Sequence, residues 1–110
     1  MALLDRLRQE LDRAGRSAQR ALDEGRLRLE LYRARQSVDR FAQRFGYAVY
    51  HARKAGGELP PDDYTAHMNN ITAAESEVTR LETLVAEAAK DRRELLNPPP
   101  QSASPPPSGP

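Results

Sequence analysis

The chain has 110 residues, carries a formal net charge of +1 and contains no cysteine, while 38% of its residues are hydrophobic and 30% are charged. A chain of this length forms one small core at most, which argues against the enclosed pocket that an enzyme needs. The absence of cysteine excludes disulfides, thiolate catalysis and cysteine-based zinc sites.

The first predicted element is an amphipathic helical arm over residues 1–24. Leucines recur along it at helical spacing, with arginines and a few acids between them. The apolar pattern changes phase at Gly25, so we expect a bend, a change of register or a frayed turn there. The arm does not fit a secretory signal, because Asp5 lies near its start. Its apolar face consists of Leu3, Leu4, Leu7 and Leu11.

Residues 25–96 are predicted to form an antiparallel two-helix coiled-coil hairpin with a turn near residues 56–60. Apolar residues recur at steps of four and three in both halves, which lines up one seam along each helix. The fold class is therefore all-α. The predicted seam comprises Leu27, Leu31, Val38, Phe41 and Phe45 on the first helix, and Tyr64, Ile71, Val78, Leu81 and Val85 on the second.

Local signals place the ends of these helices. Gly56 suits the left-handed residue of a C-cap, and Pro61 suits the first turn of the next helix because no intrahelical acceptor awaits its missing N–H. With the chain folded back at the glycines, Phe45 is expected level with Ile71, and Ala52 level with Tyr64. A second helix that ends near residue 96 then reaches back only to about residue 20, which leaves the leucines of the arm without a partner inside the hairpin.

Those leucines are the main candidate for an interaction surface. They could bind another copy of the chain, another helical protein, or weakly an anionic membrane surface. A second candidate surface projects away from the seam, although its members could instead cover the seam edges or stand alone in solvent. It comprises Leu29, Tyr32, Tyr47 and Tyr50.

Charge is distributed unevenly along the chain. Residues 1–56 hold 13 Arg or Lys and 7 Asp or Glu, a net charge of +6, and residues 57–110 hold 4 and 9, a net charge of −5. A basic half can bind nucleic acid or anionic lipid. Since acids are interspersed among the arginines, a basic helix lying against an acidic one is the simpler interpretation, and nucleic acid is the weakest of the candidate partners.

No residue pattern supports catalysis, a metal or a cofactor. His51 and His67 are the only histidines, and two histidines make a poor zinc site even if Asp63 adds a ligand. The serines and threonines have no nearby histidine to serve as a base. We therefore predict that the chain is not an enzyme, has no catalytic or metal-binding residues and uses no cofactor.

Residues 97–110 are rich in proline and serine and offer no apolar surface to bury, so they are predicted to form a disordered tail. A ligand for proline-recognition domains is the alternative. Apolar stretches elsewhere are far shorter than the roughly 20 residues that cross a bilayer. We expect a cytoplasmic protein, with a peripheral position at the inner membrane face as the alternative.

Two segments resemble a loosely defined group of small bacterial helical-hairpin proteins of unknown function. They are the opening Leu3-Leu4-Asp5-Arg6-Leu7 and the segment from Phe45 to Tyr50 before the glycine turn. Some members of that group end in a zinc ribbon with two pairs of cysteines, which this chain lacks. The sequence thus favours a non-catalytic, self-associating coiled-coil scaffold, with a peripheral membrane protein and a basic nucleic-acid-associated protein as the alternatives.

Overall fold

The computed structural model describes residues 2–96, and within that range every regular element is helical. Helix α1 spans Ala2–Lys54 and helix α2 spans Pro61–Leu96, joined by residues 55–60. The predicted all-α class and the helical hairpin are confirmed for this part of the chain. The predicted proline-rich tail lies outside the described residues.

Helix α1 is continuous for 53 residues, including the stretch around Gly25, so of the bend, change of register or frayed turn expected there the frayed turn is excluded. Its sequence consists mainly of strong helix formers, whose summed propensity outweighs the roughly 1 kcal/mol that each internal glycine costs relative to alanine. The predicted arm is therefore the first part of α1 and not a separate helix.

Helix α1 ends in a Schellman motif. Gly56 adopts a left-handed φ of 88°. The N–H of Gly57 donates to the carbonyl of Ala52 at 3.0 Å, and the N–H of Gly56 donates to the carbonyl of Arg53 at 2.9 Å. These two bonds satisfy carbonyls that have no intrahelical donor, so the chain reverses directly after the last turn.

Helix α2 begins at Pro61, as the sequence indicates. The N–H of Tyr64 donates to the carbonyl of Pro60 at 2.9 Å, which is the first bond of the helix. Asp62 and Asp63 lie in the first turn, where carboxylates interact favourably with the positive end of the helix dipole.

The chain divides into two compact units, each built from a part of both helices. Among the described residues, unit 2 is residues 27–84, and unit 1 combines residues 2–26 with residues 85–96. The predicted boundary after residue 24 lies close to this division, but residues 85–96 group with the arm and not with the hairpin.

In unit 2 the two helices pair in opposite sequence order. The Phe45 ring lies 4.9 Å from the Tyr64 ring, and the Arg35 guanidinium lies 3.4 Å from the Glu82 carboxylate. Leu31 and Leu81 are the buried hydrophobic side chains of the unit, and Leu81 is only 2% exposed. The apolar seam thus faces the partner helix.

The register near the turn differs from the expected one. Phe45 contacts Tyr64 and His67, whose ring centroids lie 4.9 and 5.5 Å away, in place of the expected level with Ile71. Farther from the turn, the ion pair of Arg35 with Glu82 lies within one residue of the predicted register.

Unit 1 pairs the helices through a polar contact. Glu24 is 5% exposed. Its carboxylate forms an ion pair with the guanidinium of Arg92, whose Nε lies 3.0 Å away. Val85 and Ala89 are the buried hydrophobic residues of this unit among those described.

Candidate interaction surfaces

The arm of unit 1 presents an uncovered row of leucines. We call Leu3, Leu4, Leu7 and Leu11 the leucine face; their exposed fractions lie between 49% and 75%. Burying one such side chain is worth roughly 1.5–3 kcal/mol, so four of them in one row are a substantial unpaired apolar surface.

The leucine face is uncovered because α2 does not extend to it: Arg92 pairs with Glu24, and α2 ends four residues later at Leu96. Counting back in steps of seven from the buried Leu31 gives Glu24 and Ser17, which are the covered positions of the arm. Leu22, two residues and about 200° around the helix from Glu24, is 66% exposed. The side of the arm that meets α2 in unit 1 is therefore polar, and the apolar side faces away.

Basic side chains accompany the leucines. Arg6 and Arg8 are exposed among them. Farther along the arm, Arg13, Arg16 and Arg20 line an open cavity of about 360 Å³ together with Glu94 and Leu95. Residues 6–20 contain five arginines and two acids, a net charge of +3, so this stretch attracts acidic surfaces.

Unit 2 carries the second exposed set, which we call the tyrosine face. Leu29 and Tyr47 are 18 residues apart, as are Tyr32 and Tyr50, and 18 residues make five full turns of an α-helix. All four side chains are at least 48% exposed. They therefore share one side of α1 that no described residue of unit 2 covers.

The two histidines belong to separate ring clusters in unit 2. His67 stacks on Phe45, whereas His51 lies 6.2 Å from Tyr47 and 5.4 Å from Tyr50. Lys54 lies over the Tyr50 ring at 5.9 Å. Across residues 2–96, no group of three or more histidines and acids is placed to hold a metal ion.

A shallow groove lies between the two helices of unit 2. It has a volume of about 310 Å³, at the small end of ligand pockets, and small side chains form most of its walls. We call it the alanine groove; its walls include Ala34, Ser37 and Phe41 from α1 and Ala73, Ala74 and Glu77 from α2.

Beside the groove, Glu77 is paired within its own helix. Nε of Arg80 donates to the Glu77 carboxylate at 3.0 Å. This hydrogen bond lowers the pKa of Glu77 and raises that of Arg80. The two side chains therefore form an ion pair that brings no net charge to the rim of the groove.

The leucine face and the tyrosine face are both exposed, but the predicted seam is covered unevenly. Tyr64, for example, contacts Phe45 yet is 49% exposed. Sequence reasoning missed the pair of Glu24 and Arg92, and it missed Leu22 as an exposed leucine. The signal was available, since Glu24 lies seven residues before Leu31 on the same seam position.

Neither helix contains an apolar stretch long enough to cross a membrane within the described residues. No protein-family model matches the chain, and neither the curated proteins nor the solved structures contain a match to it. The resemblance to small bacterial helical-hairpin proteins therefore stays a prediction.

Proposed function

We propose that the chain is a non-catalytic interaction protein that self-associates through the leucine face, with unit 2 acting as a coiled-coil hairpin scaffold. The observation that carries this proposal is the row of four exposed leucines on a continuous helix. The described residues of α2 end opposite the later part of the arm, since Arg92 pairs with Glu24 and the helix ends at Leu96, so they do not bury this surface.

The free energy gained by burying the leucines and the cost of association are of similar size. The leucines are about half to three quarters exposed, so burying four of them in each of two copies releases roughly 6–18 kcal/mol. Association costs about 4–15 kcal/mol in lost freedom. The two ranges overlap, so the net free energy is small and we expect a weak complex that dissociates on dilution.

A second copy is favoured over a lipid surface by the composition of the face. Helices that lie in a membrane interface usually combine a strongly basic polar side with Trp or Phe on the apolar side. Here the aromatic residues are absent from the arm, and Asp5, Glu10 and Asp12 interrupt the basic residues. The experiment must therefore distinguish self-association from binding to a membrane surface.

The test measures solution mass against concentration, by light scattering or sedimentation, for the native chain and for Leu7→Gln/Leu11→Gln. Glutamine keeps helix propensity close to that of leucine, so helix content should be unchanged. We expect the native mass to rise with concentration and the variant to stay monomeric. The matched control is Arg8→Gln/Asp12→Gln, which makes two charge-balanced changes outside the leucine face and should associate like the native chain.

A native chain that stays monomeric up to hundreds of micromolar would refute self-association. If that chain instead pellets with anionic vesicles, and the glutamine variant does not, the leucine face serves a membrane. Equal pelleting of both forms, or none, excludes the membrane alternative for this face.

A further inference from the structure

We propose that the arms of two copies pair with each other in antiparallel orientation, an inference that rests on the self-association proposed above. The leucine face of each copy then meets alanines that lie farther along the arm of the other copy. We call the apolar row that runs through both sets the arm seam; it comprises Leu4, Leu7, Leu11, Ala14, Ala18 and Ala21, and all six residues are exposed. Because the same surface serves on both copies, the pairing closes as a dimer.

The spacing of the arm seam is the same when it is read from either end. Its steps of three and four residues are those of a single coiled-coil seam. In an antiparallel pair centred between residues 12 and 13, every leucine of the seam therefore lies opposite an alanine. The facing pairs are Leu4 with Ala21, Leu7 with Ala18, and Leu11 with Ala14.

Side-chain size favours this orientation over a parallel one. A large side chain opposite a small one in every layer lets the two helices interdigitate at a constant separation. In a parallel pair each residue faces its own counterpart, so leucine would face leucine at one end of the seam and alanine would face alanine at the other. The leucine layers would hold the helices apart and leave voids between the alanines, which close packing disfavours.

Net charge favours the same orientation. Residues 3–12 contain three acids and two arginines, a net charge of −1, and residues 13–22 contain three arginines and no acid, a net charge of +3. Glu94 of α2 lines a cavity with these three arginines, and with its charge included the second half is still positive. An antiparallel pair sets each half against the oppositely charged half of the other copy, whereas a parallel pair sets the two positive halves side by side.

Helix α2 leaves the arm seam open even where the two helices of unit 1 meet. The covered positions of the arm are Ser17 and Glu24. At about 100° per residue, these two positions lie about 100° around the helix from the middle of the arm seam. A second arm can therefore lie along the seam without displacing α2.

The first experiment cross-links two engineered chains, which is possible because the native chain has no cysteine. A Leu4→Cys chain is mixed with an Ala21→Cys chain of distinguishable mass under mild oxidation, and a disulfide forms only where the two residues approach within about 7 Å. In the antiparallel pair the two copies of position 4 lie about 25 Å apart along the helix axis, so the mixed disulfide should exceed each homodimeric disulfide at least tenfold. The matched control is Asp5→Cys, about 100° around the helix from Leu4, which should cross-link poorly with Ala21→Cys.

The second experiment exchanges side-chain size across one kind of layer. Ala18→Leu places a leucine against Leu7 of the other copy, and Leu7→Ala places an alanine against Ala18, so each variant alone should associate at least fivefold more weakly than the native chain. An equimolar mixture restores one leucine and one alanine to each layer and should associate within twofold of the native chain. Alanine and leucine are both strong helix formers, so circular dichroism should show unchanged helix content.

The outcomes separate this inference from self-association itself. If Leu4→Cys and Ala21→Cys each cross-link mainly to their own kind, or if Ala18→Leu alone associates more tightly than the native chain, the arms pair in parallel and the antiparallel proposal is wrong. If no cysteine pair cross-links although the native chain self-associates, the leucine face contacts another surface and the proposal is again wrong. If the native chain is monomeric at every concentration, both proposals fail.

Discussion

Unit 1 and unit 2 draw on the same two helices, yet they bury different kinds of side chain. Unit 2 buries Leu31 and Leu81, whereas unit 1 buries the carboxylate of Glu24 against Arg92 beside Val85 and Ala89. The comparison shows that a helix can keep its backbone continuous while the chemistry of its covered side changes. Leu22 is exposed because a polar side of the helix faces α2 at that level, whereas Leu3 to Leu11 are exposed because the described part of α2 ends before it reaches them.

The largest expected effect tests whether burial, and not residue type, determines how much a leucine contributes to the free energy of unfolding. Leu81→Ala should lower the free energy of unfolding by about 2–5 kcal/mol, because it removes apolar contacts and leaves a cavity. Leu22→Ala makes the same change at an exposed site of unit 1 and should stay within about 0.5 kcal/mol. Urea unfolding at low protein concentration measures both, and equal losses would contradict the assigned burial.

The next effect concerns the polar contact of unit 1. Arg92→Ala leaves the Glu24 carboxylate buried without this partner and should cost about 1–3 kcal/mol, less than in a fully buried pair because Arg92 is partly exposed. Arg35→Ala, which breaks the exposed pair with Glu82, should cost only about 0.2–1 kcal/mol.

The same contact tests whether the ion pair of Glu24 and Arg92 has a net stabilising or destabilising effect. Replacing both partners, as Glu24→Leu/Arg92→Leu, should leave stability unchanged or raise it by up to about 4 kcal/mol, because no charge then remains to be desolvated. A double variant less stable than Arg92→Ala would mean that the ion pair itself, and not its burial cost, holds unit 1 together.

A smaller effect is expected at the closed end of unit 2. Gly56→Ala should cost about 1–2 kcal/mol, since an alanine at a φ of 88° brings its Cβ against the backbone. At Gly57 the nearest atom to an added Cβ is 3.9 Å away, and Gly57→Ala should stay within about 0.5 kcal/mol. Thermal unfolding of the two variants checks the difference, and similar melting temperatures would argue against the Schellman cap.

The smallest effect is electrostatic. Arg80→Met should raise the pKa of Glu77 toward its ordinary value, because the hydrogen bond from Arg80 lowers it in the native chain. A carboxylate with a lowered pKa stabilises the fold above its unfolded-state pKa, and this contribution is lost as the pH falls through the folded-state pKa. NMR titration of the Glu77 side chain measures the shift; an unchanged pKa would show that the pair does not persist in solution.

Much of the local structure follows from short-range signals. The end of α1 at a glycine cap and the start of α2 at Pro61 were both predicted, because caps and proline positions depend on a few neighbouring residues. The ring contacts of Phe45 with Tyr64 and His67 were not predicted, whereas the pairs of Arg35 with Glu82 and of Glu24 with Arg92 fall within one residue of the predicted register.

The amino-acid sequence by itself determined two long helices, the glycine cap between them and a leucine row out of phase with the hairpin seam. Those features arise from propensity and periodicity, which act within a few turns of one helix. Only the tertiary structure decided that Glu24, rather than Leu22, faces α2 in unit 1. At any one level a helix presents only one side to its neighbour, and in unit 1 this is the side on which Glu24 pairs with Arg92.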